Sequence, residues 1–244
     1  MTEKCGNCNE AVTGDFCNSC GQARELKKID RNYVIQELLS LVGYENGFIF
    51  TFRELLVNPG EVIREYITRN RQKITKPITF LILTSVIYTL ISHYFKTDIP
   101  YNDQLKKDYG NSSVFEIMNW VQNNYGYSNL LLILPITCWT RLLFRKSNYN
   151  FYETCVVICF VMAEGMLLFS LESILNGLFP GMIVINETVT FILAFFYIGW
   201  GIGQFYGKKI KNYFKAFFAY SLGMITFQII VIVVGITYDM IMKG

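Results

Sequence analysis

Four cysteines, Cys5, Cys8, Cys17 and Cys20, stand in a polar stretch near the beginning of the chain, spaced C-x2-C, eight residues, C-x2-C. Thiolates are soft ligands, and four of them meet the tetrahedral preference of Zn(II), whereas Mg and Ca seek oxygen. Each CxxC lets two sulfurs grip one ion from a tight turn. Gly6 and Gly21 stand where the backbone must fold so that its N–H groups face sulfur. The single histidine, His93, is far away, so the expected ligand set is all-cysteine. Two disulfides are the competing use of four cysteines. "MTEKCGNCNE" has no apolar h-region, so no cleavable secretory signal is expected, and paired CxxC then favours metal. We expect one structural zinc, closed to substrate, in a minimal hairpin turning near Gly14 and Asp15. Metal binding would supply the folding free energy of such a module.

A second set of residues with chemical potential is Glu153, Glu164 and Glu172, spread along one apolar run. At about 100° and 1.5 Å per residue the three fall within one arc, with Glu153 and Glu172 near the ends and only Glu164 deep. A carboxylate at that depth costs a few kcal/mol or more. Two uses are open for Glu164. One is a proton or cation relay; the other is a neutral acid hydrogen-bonded to Gln228 or to a Thr or Tyr of another helix. Catalysis finds no parts: there is no H-E-x-x-H, no pair of intramembrane aspartates and no Gly-rich phosphate loop. The expectation is that the protein is not an enzyme.

The elements that must carry these groups are apolar. The chain of 244 residues is 52% hydrophobic and 17% charged, against about 25% charged in soluble domains. Five long apolar runs, near 77–95, 128–144, 151–175, 182–206 and 214–240, approach or exceed the roughly 20 residues that cross a bilayer. The second is short and contains Pro135. The fold class predicted is an all-α membrane protein with about five transmembrane helices, an N-terminal zinc knuckle and amphipathic interfacial helices. Three regions follow: a knuckle over 1–28, an amphipathic helical region over 29–76 and a transmembrane domain over 77–244. Cations gather in alternate connections: Arg64, Arg69, Arg71, Lys73 and Lys76, then Arg141, Arg145 and Lys146, then Lys208, Lys209, Lys211 and Lys215. The other connections and the end of the chain hold only Lys96, Lys106, Lys107 and Lys243. The positive-inside rule puts the larger group, with the N-terminus, in the cytoplasm and the C-terminus outside. The expected setting is the bacterial inner membrane, whose cytoplasmic face is also the reducing side that zinc thiolates need.

"NPGEVIREYITRNR" reads as a helix start: Asn58 as N-cap, Pro59 at the first position, Glu61 three residues after the cap. Val62, Ile63, Tyr66 and Ile67 share one face. Arg64, Arg69, Arg71, Lys73 and Lys76 are candidates for lipid headgroups, while packing of the apolar face on the spans is the other reading. Gly199, Gly203 and Gly207 recur every fourth residue, a spacing that flattens a helix face for packing. Internal packing leads over a homo-oligomer contact. Ser113 and Glu116 stand at capping-box spacing before a short outer helix.

"FCNSCGQ" with "TFRELLVNPGEVIREYITRNRQKITKPITF" resembles an uncharacterised bacterial family, a domain of unknown function. Its members join an N-terminal zinc ribbon to a Thr-x-Arg-Glu-Leu-Leu and Pro-Gly segment and then to several spans. The likeness covers roughly residues 5–85, with Thr68–Arg71 standing where members often carry Gly-Lys-Arg. It implies architecture and no activity. The functional expectation is a membrane scaffold whose cytosolic knuckle docks a protein partner. The alternative is a small transporter or channel with a Glu-lined path. Lys4 is the one cation among residues 1–20, against Glu3, Glu10 and Asp15, so nucleic acid is not expected as a partner.

Overall fold

The structure is a computed structural model that describes residues 3–5, 8, 10–12, 14–20, 47–71, 73–95, 110 and 112–242. Most of the predicted amphipathic region before residue 47 lies outside the described residues. So do Gly6, Gly21, Lys96, Lys106, Lys107 and Lys243. The chain divides into two compact units, Met1–Tyr44 and Glu45–Gly244.

In the first unit two short antiparallel strands, β1 (Glu3–Lys4) and β2 (Ala11–Val12), pair Glu3 with Val12 and Lys4 with Ala11. The hairpin therefore closes around the first CxxC, and Gly14 and Asp15 lie in a bend after β2, which corrects the expected turn. The physical reason is that the strand pairing already closes before Gly14: Cys5 N–H donates to Glu10 O at 2.8 Å next to the Lys4–Ala11 pair.

The second unit is helical. Two short helices, α1 (Phe48–Val57) and α2 (Pro59–Thr68), form a hairpin broken at Asn58. Pro59 sits at the first position of α2, where a missing N–H is harmless. The Asn58 side chain makes no capping bond, so the expected capping box is absent; its backbone carbonyl accepts from Glu61 and Val62 instead. Then come α3 (Pro77–Phe95), α4 (Ser113–Asn123), α5 (Tyr125–Leu143), α6 (Phe151–Leu178), α7 (Ile183–Phe205) and α8 (Ile210–Met242). A single 3-10 turn, Pro180–Met182, joins α6 to α7.

Four of these helices, α3, α6, α7 with its preceding turn, and α8, are long and apolar enough to cross a membrane. The second predicted run is shorter, its apolar part covering Ser128–Leu143, although α5 itself continues unbroken through Pro135. Helix α6 is the hub. Its apolar window is 67% buried, whereas those of α3, α7 and α8 are 28%, 17% and 22% buried. An apolar helix that hides so little of itself in a protein must find other apolar surroundings. Along α3 the exposed set Ile78, Ile82, Val86 and Leu90 recurs every fourth residue, a lipid-type stripe.

Helices α3, α5 and α7 all pack on α6, and α8 packs on α5 and α7. At one end lie the starts of α3, α6 and α8 and the finishes of α5 and α7. We call this the basic end, because Arg64, Arg141, Arg145, Lys146, Lys208, Lys209, Lys211 and Lys215 belong to its segments. Phe144 stacks on Tyr206 at 4.0 Å there, and Thr154 Oγ1 lies 2.9 Å from the Tyr206 hydroxyl. At the far end α4 packs on the last turns of α8. Ser113, predicted as a cap, donates instead from N and Oγ to the Asp239 carboxylate at 3.0 and 2.6 Å. The cap falls one residue earlier, Ser112 accepting from Phe115 N–H at 3.4 Å.

Candidate functional site

The four knuckle cysteines converge. Their sulfurs all lie within 4.8 Å of one another. Cys5 and Cys20 approach to 3.5 Å, as do Cys8 and Cys17. A tetrahedron of sulfurs around zinc, with bonds of about 2.3 Å, has edges of about 3.8 Å. A disulfide would need about 2.05 Å, and none joins these residues. The set therefore fits a tetrahedral soft metal without rearrangement beyond a few tenths of an ångström for the close pairs. Cys5 and Cys17 are buried while Cys8 and Cys20 are exposed, so the cluster opens on one side to solvent.

Backbone donors prepare the sulfurs. Hydrogen bonds from the main chain of Cys20 and Ser19 hold the Cys17 thiol below its ordinary value, favouring the thiolate that a metal requires. At Cys8 the Glu10 backbone acts in the same sense. It is outweighed by the neighbouring Cys20, Cys17 and Cys5 sulfurs, which push the Cys8 thiol up to about 12. Four sulfurs this close repel as thiolates, and a divalent cation removes that conflict.

The carboxylates separate into three different environments rather than one stripe. Glu153 is half-buried at the start of α6 and forms a capping box: it accepts from Asn150 N–H at 2.7 Å while Asn150 Oδ1 accepts from Glu153 N–H at 2.9 Å. Its membrane-buried assignment is thereby corrected, since three residues from the helix start it serves the first turn. Glu172, half-buried, accepts from Asn176 Nδ2 at 3.4 Å, and Asn186 Nδ2 donates to Asn176 Oδ1 at 2.9 Å. It belongs to a polar cluster at the turn between α6 and α7. Glu164 alone is deep, 2% exposed, with Oε1 lacking a hydrogen-bond partner. Gln228 is exposed, so that suggested partner is excluded.

The glycines also divide. Gly199 and Gly203 face α8, where Phe217 and Tyr213 occupy the space a methyl group would need. Gly207 does not share that face: at φ +116° it ends α7 in a conformation only glycine tolerates. The difference arises because the helix stops at Phe205, so the four-residue period has no meaning beyond it.

The cation group is corrected at two positions. Arg64 Nη1 donates to Gln204 O at 2.7 Å and Phe205 O at 2.8 Å, the last carbonyls of α7, adding to the Gly207 N–H that reaches Gln204 O at 3.3 Å. Lys73 pairs with Glu65 at 3.0 Å. Arg69, Arg71 and Lys76 stay exposed. Arg71 lies near Tyr66, whose phenol is raised by burial against the lowering effect of that cation. Lys215 repeats the Arg64 device, donating to Leu143 O at 3.0 Å where α5 ends.

Sequence reasoning missed the partners of the Pro-Gly segment. Gly60 N–H donates to Gln204 Oε1 at 2.7 Å, and a methyl group on Gly60 would run into the backbone of Gln204 and Phe205. Pro59 packs against Gly201. Thr51 Oγ1 accepts from Thr75 N–H at 2.9 Å, tying α1 to the approach of α3. A polar Gln204 next to two glycines in an otherwise apolar run was the available signal.

These features define a helical protein with four helices able to cross a membrane, joined to a separate four-cysteine unit. Residues 45–89 match a family model described as "Protein of unknown function (DUF3667)". The matched stretch holds α1, α2 and most of α3, the segment whose Thr51, Pro59, Gly60 and Arg64 make the contacts just described. The cysteine cluster lies before it. No curated protein and no solved structure matches the chain.

Proposed function

We propose that the protein is an integral membrane scaffold whose cytosolic zinc knuckle docks a protein partner. The carrying observation is the division of labour: a four-sulfur cluster, in a unit whose buried apolar residues among those described are Cys5 and Cys17, belongs to a different compact unit from a bundle whose exposed faces are apolar. One zinc on Cys5, Cys8, Cys17 and Cys20 would be structural, since four protein sulfurs leave no coordination position for substrate. The metal-folded surface is then the functional part and the bundle is its anchor.

Five spans support this reading better than four. Helix α5 lies antiparallel along α8: Lys215 reaches Leu143 O, Ile136 fills the space at Gly223, and Trp139 Nε1 donates to Thr226 Oγ1 at 2.8 Å. Its 19 residues amount to about 28 Å, close to the hydrocarbon thickness. With α5 crossing, the basic end and the N-terminus are cytoplasmic and the C-terminus is outside, in the bacterial inner membrane. Helix α1 then lies in the inner headgroup layer. Its outward arc, Ile49, Phe50, Leu56 and Val57, is apolar and exposed, with Arg53 in its middle to reach phosphates. Arg69, Arg71 and Lys76 extend the same charge.

Native co-purification tests the scaffold reading. A stoichiometric partner should be retained by the wild type and lost when Cys17 and Cys20 are changed to Ser, with the membrane bundle intact. Ion flux in reconstituted vesicles that disappears in Glu164→Gln would overturn it in favour of a transporter. A new Cys at Lys209 should label only after the inner side is opened; labelling from outside would reverse the topology.

A further inference from the structure

Two stretches of the chain, residues 117–152 and 188–238, contain no Asp or Glu and hold seven Lys and Arg. The first carries Arg141, Arg145 and Lys146 where α5 ends, and the second carries Lys208, Lys209, Lys211 and Lys215 where α8 starts. The fold joins them. Lys215 Nζ donates to Leu143 O at 3.0 Å and stands 5.5 Å from the centre of the Phe144 ring. That ring stacks on Tyr206, and Asn212 Nδ2 donates to the Tyr206 and Gly207 carbonyls at 2.9 and 3.1 Å. Arg145 and Lys146 follow Phe144 directly, and Lys208, Lys209 and Lys211 lie between Gly207 and Asn212, so the two groups form one cationic corner. These five side chains are exposed.

Each helix runs from this corner with an exposed apolar stripe at every fourth residue, which is one face of a helix. On α8 it is Ile210, Phe214 and Phe218, 77%, 72% and 59% exposed. On α5 it is Leu142 and Leu134, with exposed Cys138 between them. An apolar wall that ends in cations matches a phospholipid, with chains on the wall and phosphate at the top. Orientation in the membrane asks only for cations in a connection. It does not ask that two connections be free of acids, be joined through Lys215, and stand above apolar stripes. A Lys ammonium donates and accepts nothing, so a headgroup that carries its own ammonium gains little here and an anionic one gains most. At the far end the described charged residues are acids, Glu116, Glu172, Glu187 and Asp239, so an anionic lipid is favoured at one end only.

We propose that the corner formed by the end of α5 and the start of α8 is a binding site for an anionic phospholipid. Arg145, Lys208, Lys209 and Lys211 hold its phosphate, and the stripes through Phe214 and Leu142 carry its chains. This rests on the reading in which α5 crosses the membrane, because the corner then lies at the bilayer surface. The cations are exposed, so the attraction weakens as salt rises.

The test takes the full chain from nanodiscs of equal parts phosphatidylcholine and phosphatidylglycerol into mild detergent and counts the retained lipids by mass spectrometry. The wild type should keep the anionic lipid over the neutral one by about tenfold or more. Lys208→Gln, Lys209→Gln and Lys211→Gln together should bring the ratio close to one. Arg at the same three positions should preserve it, which separates charge from folding. Inorganic phosphate should not displace the lipid, since it has no chains for the stripes. Equal retention of the two lipids by the wild type, a preference that survives the triple Gln change, or release by inorganic phosphate overturns the proposal. Both leaflets of the disc are alike and no partner is present, so the ratio does not depend on the scaffold role or on which side is cytoplasmic. Expected labelling at Lys209 without a lipid preference would sink the lipid site and leave the topology standing.

Discussion

The knuckle and the α1–α2 hairpin are both small, and they are held by opposite means. Among the described residues of the knuckle the buried apolar ones are Cys5 and Cys17, and its two strands have two residues each. Phe16, its large aromatic, is 63% exposed. Among the described residues there, the four sulfurs are the group that converges. The hairpin has two helices of ten residues each, and Leu55, Val62 and Ile63 join the same core as Phe80, Phe160 and Ile202. It is fixed by the bundle it rests on, through Gly60, Arg64 and Leu55 O. The difference teaches where each depends on something outside itself. The knuckle offers four sulfurs that could hold an ion, and the hairpin borrows its stability from the end of α7.

The largest effect that would break this comparison is metal removal. Apparent zinc free energies in small Cys-rich peptides are about 10–16 kcal/mol, far above what two-residue strands supply. Metal analysis of purified protein should find one equivalent of zinc, and changing Cys17 and Cys20 to Ser should abolish it and unfold residues 1–28, with unchanged thermal unfolding of the helices. Retained metal would show the ligand assignment to be wrong.

Next in size is Gly60→Ala. The added methyl meets the main chain of Gln204 and Phe205, which cannot swing aside, so about 3 kcal/mol or more of hairpin docking should be lost. Gly199→Ala meets only the Phe217 ring, which can shift, and should cost about 1–2 kcal/mol. Hydrogen exchange of α2 reads the first and thermal unfolding the second. Equal effects would mean that the hairpin contact is no tighter than an ordinary helix seam.

The smallest is Gly207→Ala. Its φ of +116° strains any side chain, at about 1 kcal/mol, and the added methyl meets the Asn212 amide at 3.3 Å, away from the Phe217 and Tyr213 contacts of the α7–α8 seam. Thermal unfolding should fall slightly, with no change in α2 protection. A larger loss would show that the turn is coupled to the seat of the hairpin.

Much of this was legible in the chain. The spacing of Cys5, Cys8, Cys17 and Cys20 sufficed to find a four-sulfur cluster that could hold a metal, because paired CxxC turns bring their sulfurs together with no help from distant sequence. Apolar length sufficed for the membrane-crossing class of α3, α6, α7 and α8, since backbone groups in lipid must be satisfied within each helix. Pro59 at the first position of α2 was readable for the same local reason.

What tertiary structure alone decided are the roles that depend on who stands opposite. Glu153, Glu164 and Glu172 share an arc on paper, yet the first caps a helix, the third joins a turn cluster and only the second is sealed in. Arg64 looks like its neighbours Arg69 and Arg71, but α7 ends beside it and claims its donors. Gly207 repeats the spacing of Gly199 and Gly203 after the helix has already stopped. Periodicity places a side chain on a face of its own helix. It carries no information about which helix end, carbonyl or ring a folded chain brings to that face.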